Sequence, residues 1–130
     1  MTYFDTSYLT IRWNEEGEFV EMQWKKLAKG DEFRHGLDMG LKLLTEKKSN
    51  KWLADLRQLG VVEKEDQIWS NENWFPRAYN AHIKYMAIVV PQSVFAKMSM
   101  NEIMRKVNNK DLTIYYHEEL VESRKWLALQ

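Results

Sequence analysis

The stretch YMAIVV, Tyr85 to Val90, is apolar at both alternations of a strand, so its side chains meet protein whichever way they point. A sheet holding such a strand must be covered on both faces, which calls for helices and directs the chain to the α/β class. The segment is expected at the sheet centre. Two further strands, KWLADLR and LTIYYHE, stand before and after it. The intervening EKEDQIWSNENWFPRAYNAH and SVFAKMSMNEIMRKVNNK are each long enough to cross over and return parallel.

Nearer the N-terminus, Leu9, Ile11 and Trp13 alternate with polar neighbours, as do Val20, Met22 and Trp24, and NEEG joins the two runs. This is an antiparallel hairpin with one wet face, expected on the less buried side of the sheet. From Asp31 the period changes to that of a helix, with Phe33, Leu37, Leu41 and Leu44 on one side and Asp31 placed to cap it. Gly36 and Gly40 cost helix propensity, and close approach of helix to sheet explains them.

Pro76 disfavours a helical Phe75, so the first crossover is expected to break or kink there, with Pro76 opening a second piece. In the second crossover, Ser99 with Glu102 forms a capping-box pattern that predicts a helix from Ser99, preceded by a turn or short helix and ended at Asn108-Asn109. Met86 and Met104 are expected in the core, Met98 and Met100 outside it. EELVESRKWLALQ reads as a terminal helix that folds back with Leu120 and Leu127 inward. The expected architecture is a single domain over residues 1–130. It is a five-stranded mixed sheet with a leading antiparallel hairpin and flanking helices, in the order β-β-α-β-α-β-α-β-α.

WLADLRQLGVVEKEDQIW, YMAIVVPQSVF and IYYHEELVESRKWL, in this order of elements, resemble the STAS fold, and within it the small bacterial proteins grouped as SpoIIAA-like or STAS/SEC14-like. The resemblance runs from the hairpin to Leu127. It implies a regulatory or binding module, and on the SEC14-like side a carrier of a small apolar or lipid-like ligand. The phosphorylatable serine of the regulatory antagonists has no counterpart, since no hydroxyl residue occurs in residues 52–69. The serine-phosphorylation switch is therefore not carried over.

Composition narrows the function further. Nineteen basic and nineteen acidic residues cancel without forming a run, so generic affinity for nucleic acid is not expected. The chain has no cysteine, which removes disulfides and thiolate chemistry. His35, His82 and His117 are not at metal-ligand spacing, and the glycines form no phosphate-binding loop. No metal site, cofactor or catalytic set is expected. The N-terminus lacks a secretory pattern and no segment is long and apolar enough to span a bilayer, so the expectation is a cytoplasmic protein.

The candidate partner- or ligand-binding surface joins the end of KWLAD, with Asp55 and Arg57, to the crossover residues Trp69, Trp74, Phe75, Arg77 and Tyr79. Large aromatic rings and arginines are frequent binding anchors. Asp55, at the carboxyl end of a strand, is expected to pair with Arg57 or accept loop amides. A phosphoacceptor role would need further carboxylates holding a divalent ion. The leading expectation is a noncatalytic module that binds a protein partner and self-associates as a homodimer. A small apolar ligand and Asp55-dependent metal or phosphoryl chemistry are the alternatives.

Overall fold

The residues before the hairpin alternate too briefly to declare themselves, yet Thr2–Asp5 forms a strand, β1, in the computed structural model, which describes residues 1–107 and 110–130. Thr6 makes the turn. Its hydroxyl accepts the N–H groups of Tyr8 and Leu9 while its own N–H bonds Leu9 O, and the chain reverses into β2 (Leu9–Asn14). The sheet therefore has six strands, where five are expected. β2 pairs with β3 (Phe19–Trp24) in unbroken antiparallel register, Leu9 opposite Trp24 and Asn14 opposite Phe19. Neither hairpin strand lies at an edge.

β3, β4 (Lys51–Asp55), β5 (Tyr85–Val89) and β6 (Thr113–His117) follow side by side and parallel. When parallel strands are added in chain order, right-handed crossovers all land on one face. The crossovers are α1 (Asp31–Glu46), the helical run of residues 64–80, and α4 (Val94–Met104). Among the described residues the opposite face receives only α5 (Leu120–Ala128), packed on β4, β5 and β6. β5 is next to the edge rather than central. It is apolar on both faces because Met86 and Ile88 enter the three-helix core while Ala87 and Val89 lie beneath Leu127 of α5.

In α1, a β-carbon at Gly36 would come within 2.6 Å of Leu9, and one at Gly40 within 2.4 Å of the Trp52 ring. The two glycines thus let the helix sit on the sheet, as expected. The helix is capped otherwise than expected: Asp31 is its first residue, and Gly30, at φ 58°, occupies the cap without a side-chain bond.

Residues 64–80 run through α2 (Lys64–Trp69), a π-helical turn (Ser70–Trp74) and α3 (Phe75–Asn80) without leaving helical geometry. Phe75 is helical, contrary to expectation. Pro76 removes a donor from the ladder, and the chain absorbs the loss by widening: Phe75 N–H bonds Ser70 O, five residues back. In α4 the cap is Ser93, whose hydroxyl accepts Ala96 N–H, so the helix begins well before Ser99. Ser99 lies inside it and is buried. Asn108 and Asn109, expected to end this helix, lie outside the described residues.

Candidate functional site

The residues of the expected surface do not come together. Alternation along β4 sends Trp52 and Ala54 into the three-helix core and turns Leu53 and Asp55 toward the α5 face. Trp74, Phe75 and Ala78 are buried in the three-helix core, with Trp69 and Tyr79 packed against it. Asp55 and the aromatic crossover therefore serve opposite faces of the sheet.

On the α5 side, two carboxylates are buried beneath arginines. Asp55 Oδ1 accepts Arg57 Nε at 2.9 Å and Oδ2 accepts Nη2 at 2.8 Å, a two-pronged pair that also draws in Arg57 N–H. Glu21 on β3 is held likewise by Arg124 of α5, at 2.9 and 2.7 Å. These bonds hold both guanidinium groups above their ordinary pKa. The Asp55 oxygens thus face a cation. Among the described residues no group of three or more His, Asp or Glu side chains could hold a metal ion.

Asp66, an acid that follows Asp55 in the chain, is engaged elsewhere. It is buried in α2, where Oδ2 accepts Gly30 N–H at 2.9 Å and Oδ1 accepts Arg34 Nε at 3.0 Å. An acid of the crossover so provides the anionic contact that Gly30 cannot give to the start of α1. Trp69 lies between two guanidinium groups, Arg34 at 5.5 Å and Arg77 at 5.7 Å from its ring centre. Arg77 reaches on to Asp38 of α1 at 2.8 Å, and the Trp74 indole N–H bonds Leu37 O. Trp69, Trp74 and Arg77 clamp the crossover to α1, while the Phe75 ring meets Trp74 edge to face and Tyr79 at a tilt.

Beneath this roof is a chamber of about 80 Å³ between the sheet, α1, the crossover and α4. Trp24, Trp52, Trp74, Phe33, Met86 and Met100 are among its walls. Ser70 also borders it, but its hydroxyl is engaged by Asp66 O. Met100 is buried, contrary to expectation, while Met98 is exposed as expected.

The chamber's rim includes Leu59, Gly60, Val62, Pro91 and Ala96, from the carboxyl ends of β4 and β5 and the start of α4. Outside that rim is a feature of which sequence reasoning found only Met98. Val94, Phe95 and Met98 are 69, 71 and 60% exposed on the first turns of α4. Val61 and Leu27 add exposed apolar surface from the loops after β4 and β3. Leu27 packs over Gly60, and Val62 N–H bonds Ser99 Oγ at 3.0 Å, which joins these loops to α4. The signal was present in SVFAKM, where apolar residues occupy both sides of a helix that begins at Ser93.

Near β6, the His117 Nδ1 lies 2.9 Å from Ser123 Oγ and its ring stacks on Tyr115. Burial lowers the His117 pKa, with Glu122 acting weakly in the other direction. Ser123 is fully buried, so the pair presents no hydroxyl to a substrate. Comparison with protein-family models, with curated proteins and with solved structures finds no match.

Proposed function

We propose that the chain is a noncatalytic module that binds another protein through the apolar band of Leu27, Val61, Val94, Phe95 and Met98. One observation carries this: large apolar side chains stand out in water together at the carboxyl ends of parallel strands. That is where α/β sheets gather their ligand-contacting loops. Exposed apolar side chains gathered at one end of a sheet are the kind of surface that a partner covers, and a flexible Met near Phe suits an apolar helix face or aromatic anchor. The resemblance to SpoIIAA-like regulatory proteins agrees with such a role.

A photo-crosslinking p-benzoylphenylalanine at position 95 tests the proposal in cells, with the same group at exposed Glu72 as control. The expected result is a discrete adduct at position 95 that disappears when Met98→Glu is added. Adducts alike at both positions, or none at position 95, would refute it.

The apolar chamber favours a second role, retention of a small apolar molecule, but limits its size. About 80 Å³ lies well below the roughly 300 Å³ at which sites for drug-sized ligands begin. Native mass spectrometry of the purified protein, compared with a denaturing run, is expected to find at most a ligand of a few heavy atoms. A retained long-chain lipid would overturn that limit.

A further inference from the structure

The three segments that build the apolar band hold no carboxylate, in a chain whose charges balance. KKLAKG after β3, LRQLGVV after β4 and PQSVFAKMSMN after β5 carry Lys25, Lys26, Lys29, Arg57 and Lys97 and neither Asp nor Glu. Acids from outside hold three of these cations: Asp5 takes Lys25, Asp55 takes Arg57, and Glu63 meets Lys29 loosely at 3.7 Å. Among the described residues Lys26 and Lys97 have no ion-pair partner. Lys26 is exposed beside Leu27, and Lys97 stands on the same turn of α4 as Phe95 and Met98, bordering a groove between α4 and β6. The chamber meets this surface at Leu56 and Gly60, walls that keep partial exposure at the carboxyl end of β4, where Leu27 leans over Gly60. Its volume of about 80 Å³ is roughly half that of a 150 Å³ apolar cavity that accepts benzene, which leaves room for about three or four carbons. The Ser70 hydroxyl and the Trp74 indole N–H on its wall are given to Asp66 O and Leu37 O, so a polar group entering it would lose water without replacement.

We propose, resting on the reading of the band as a protein-binding surface, that its partner is an acidic amphipathic helix. The helix seats one leucine-sized side chain in the chamber and sets carboxylates against Lys26 and Lys97. A free molecule of that size would fill the chamber yet leave Val94, Phe95 and Met98 in water, whereas a side chain carried on an apolar helix face covers both. An aromatic side chain is too large for the chamber. An anionic membrane would use the same lysines, but two unpaired cations fall short of the polybasic clusters that hold proteins to lipid, and an acyl chain is too long for the space.

Selection of phage-displayed helical peptides, randomised at their exposed positions, on the immobilised protein tests this. The expected peptides are acidic, carry a recurring leucine or methionine, and are lost on Met98→Glu. Such a peptide should bind the double variant Lys26→Glu/Lys97→Glu roughly tenfold more weakly, two exposed pairs being turned to repulsion. Replacing its leucine by alanine should weaken binding to the wild type by roughly tenfold or more. The same replacement should matter little to Ala54→Val, which narrows the chamber from β4 while circular dichroism stays native, and Ala96→Val narrows it from α4 should the first variant not fold. Phosphatidylserine vesicles are expected to leave the protein in solution; cosedimentation that is lost in Lys26→Glu/Lys97→Glu would overturn the proposal and assign the surface to a membrane. No retained peptide, or basic or aromatic ones lost on Met98→Glu, would overturn the proposal and leave the band as a protein-binding surface to the crosslink at position 95. Peptides indifferent to Met98→Glu would overturn both.

Discussion

Removing the Arg57 guanidinium is expected to destabilise the fold more than neutralising the Asp55 carboxylate that it binds. The two partners are unequally buried: the Asp55 side chain is 3% exposed and that of Arg57 32%. In Arg57→Ala the buried Oδ2 loses its bond from Nη2, and Oδ1 keeps the long 3.3 Å contact from the backbone N–H of residue 57. An unpaired buried carboxylate costs about 3–5 kcal/mol. Here the vacated space admits water and Arg124 attracts Asp55 from nearby, so about 2–3 kcal/mol is expected. In Asp55→Asn no charge is buried, and the freed guanidinium is exposed enough to hydrate, so the loss should be about 1 kcal/mol. The double variant should be more stable than Arg57→Ala alone. Urea denaturation followed by circular dichroism, with unchanged m-values, measures all three. Equal losses for the two single variants, or a double variant equal to their sum, would refute the reasoning. The Asp55 carboxylate would then not depend on Arg57 and would be available for other chemistry.

Three further outcomes follow from packing and protonation. Gly40→Ala gains about 1 kcal/mol of helix propensity but drives a methyl into Trp52 and Met22, so a net loss of about 1–2 kcal/mol is expected in thermal denaturation; a raised Tm would contradict the close approach. Ser99→Ala leaves the buried Val62 N–H without its acceptor and should cost about 1–2 kcal/mol, read as a lower urea midpoint, whereas an unchanged midpoint would discount that bond. Because burial lowers the His117 pKa, the folded state binds its proton less readily than the unfolded chain. The contribution of neutral His117 is complete above the unfolded value near 6.5 and is lost as pH falls toward the lower folded value. His117→Gln should therefore lose less stability than the wild type between pH 7.5 and pH 5, and an equal loss would refute the assignment.

What was legible in the sequence is what neighbouring residues decide among themselves. The hairpin and α1 show in period two and period 3.6 because each repeats its buried face several times, and β5 shows as a short apolar run. β1 offers only four residues, the outer two exposed, and its pairing depends on a Thr6 turn whose geometry no periodicity reveals. YMAIVV declared that both its faces are covered but not by what. The cover on one side is α5, from the far end of the chain, which lets a strand near the edge look central. The split of the candidate surface between the two faces has a related reason. Trp69, Trp74 and Arg77 have the chemistry of binding anchors, but their partners Arg34, Leu37 and Asp38 lie more than thirty residues away, so periodicity could not show that these side chains also tie the crossover to α1. Ser99 and Glu102 matched a capping pattern, yet the Ser99 hydroxyl serves Val62 from within the helix, and Ser93 provides the cap. Once the helix begins at Ser93, Ala96, Ser99, Met100 and Ile103 fill its buried side. Val94, Phe95 and Met98 are then surplus to the core and stand exposed, and the proposed partner contact rests on that surplus.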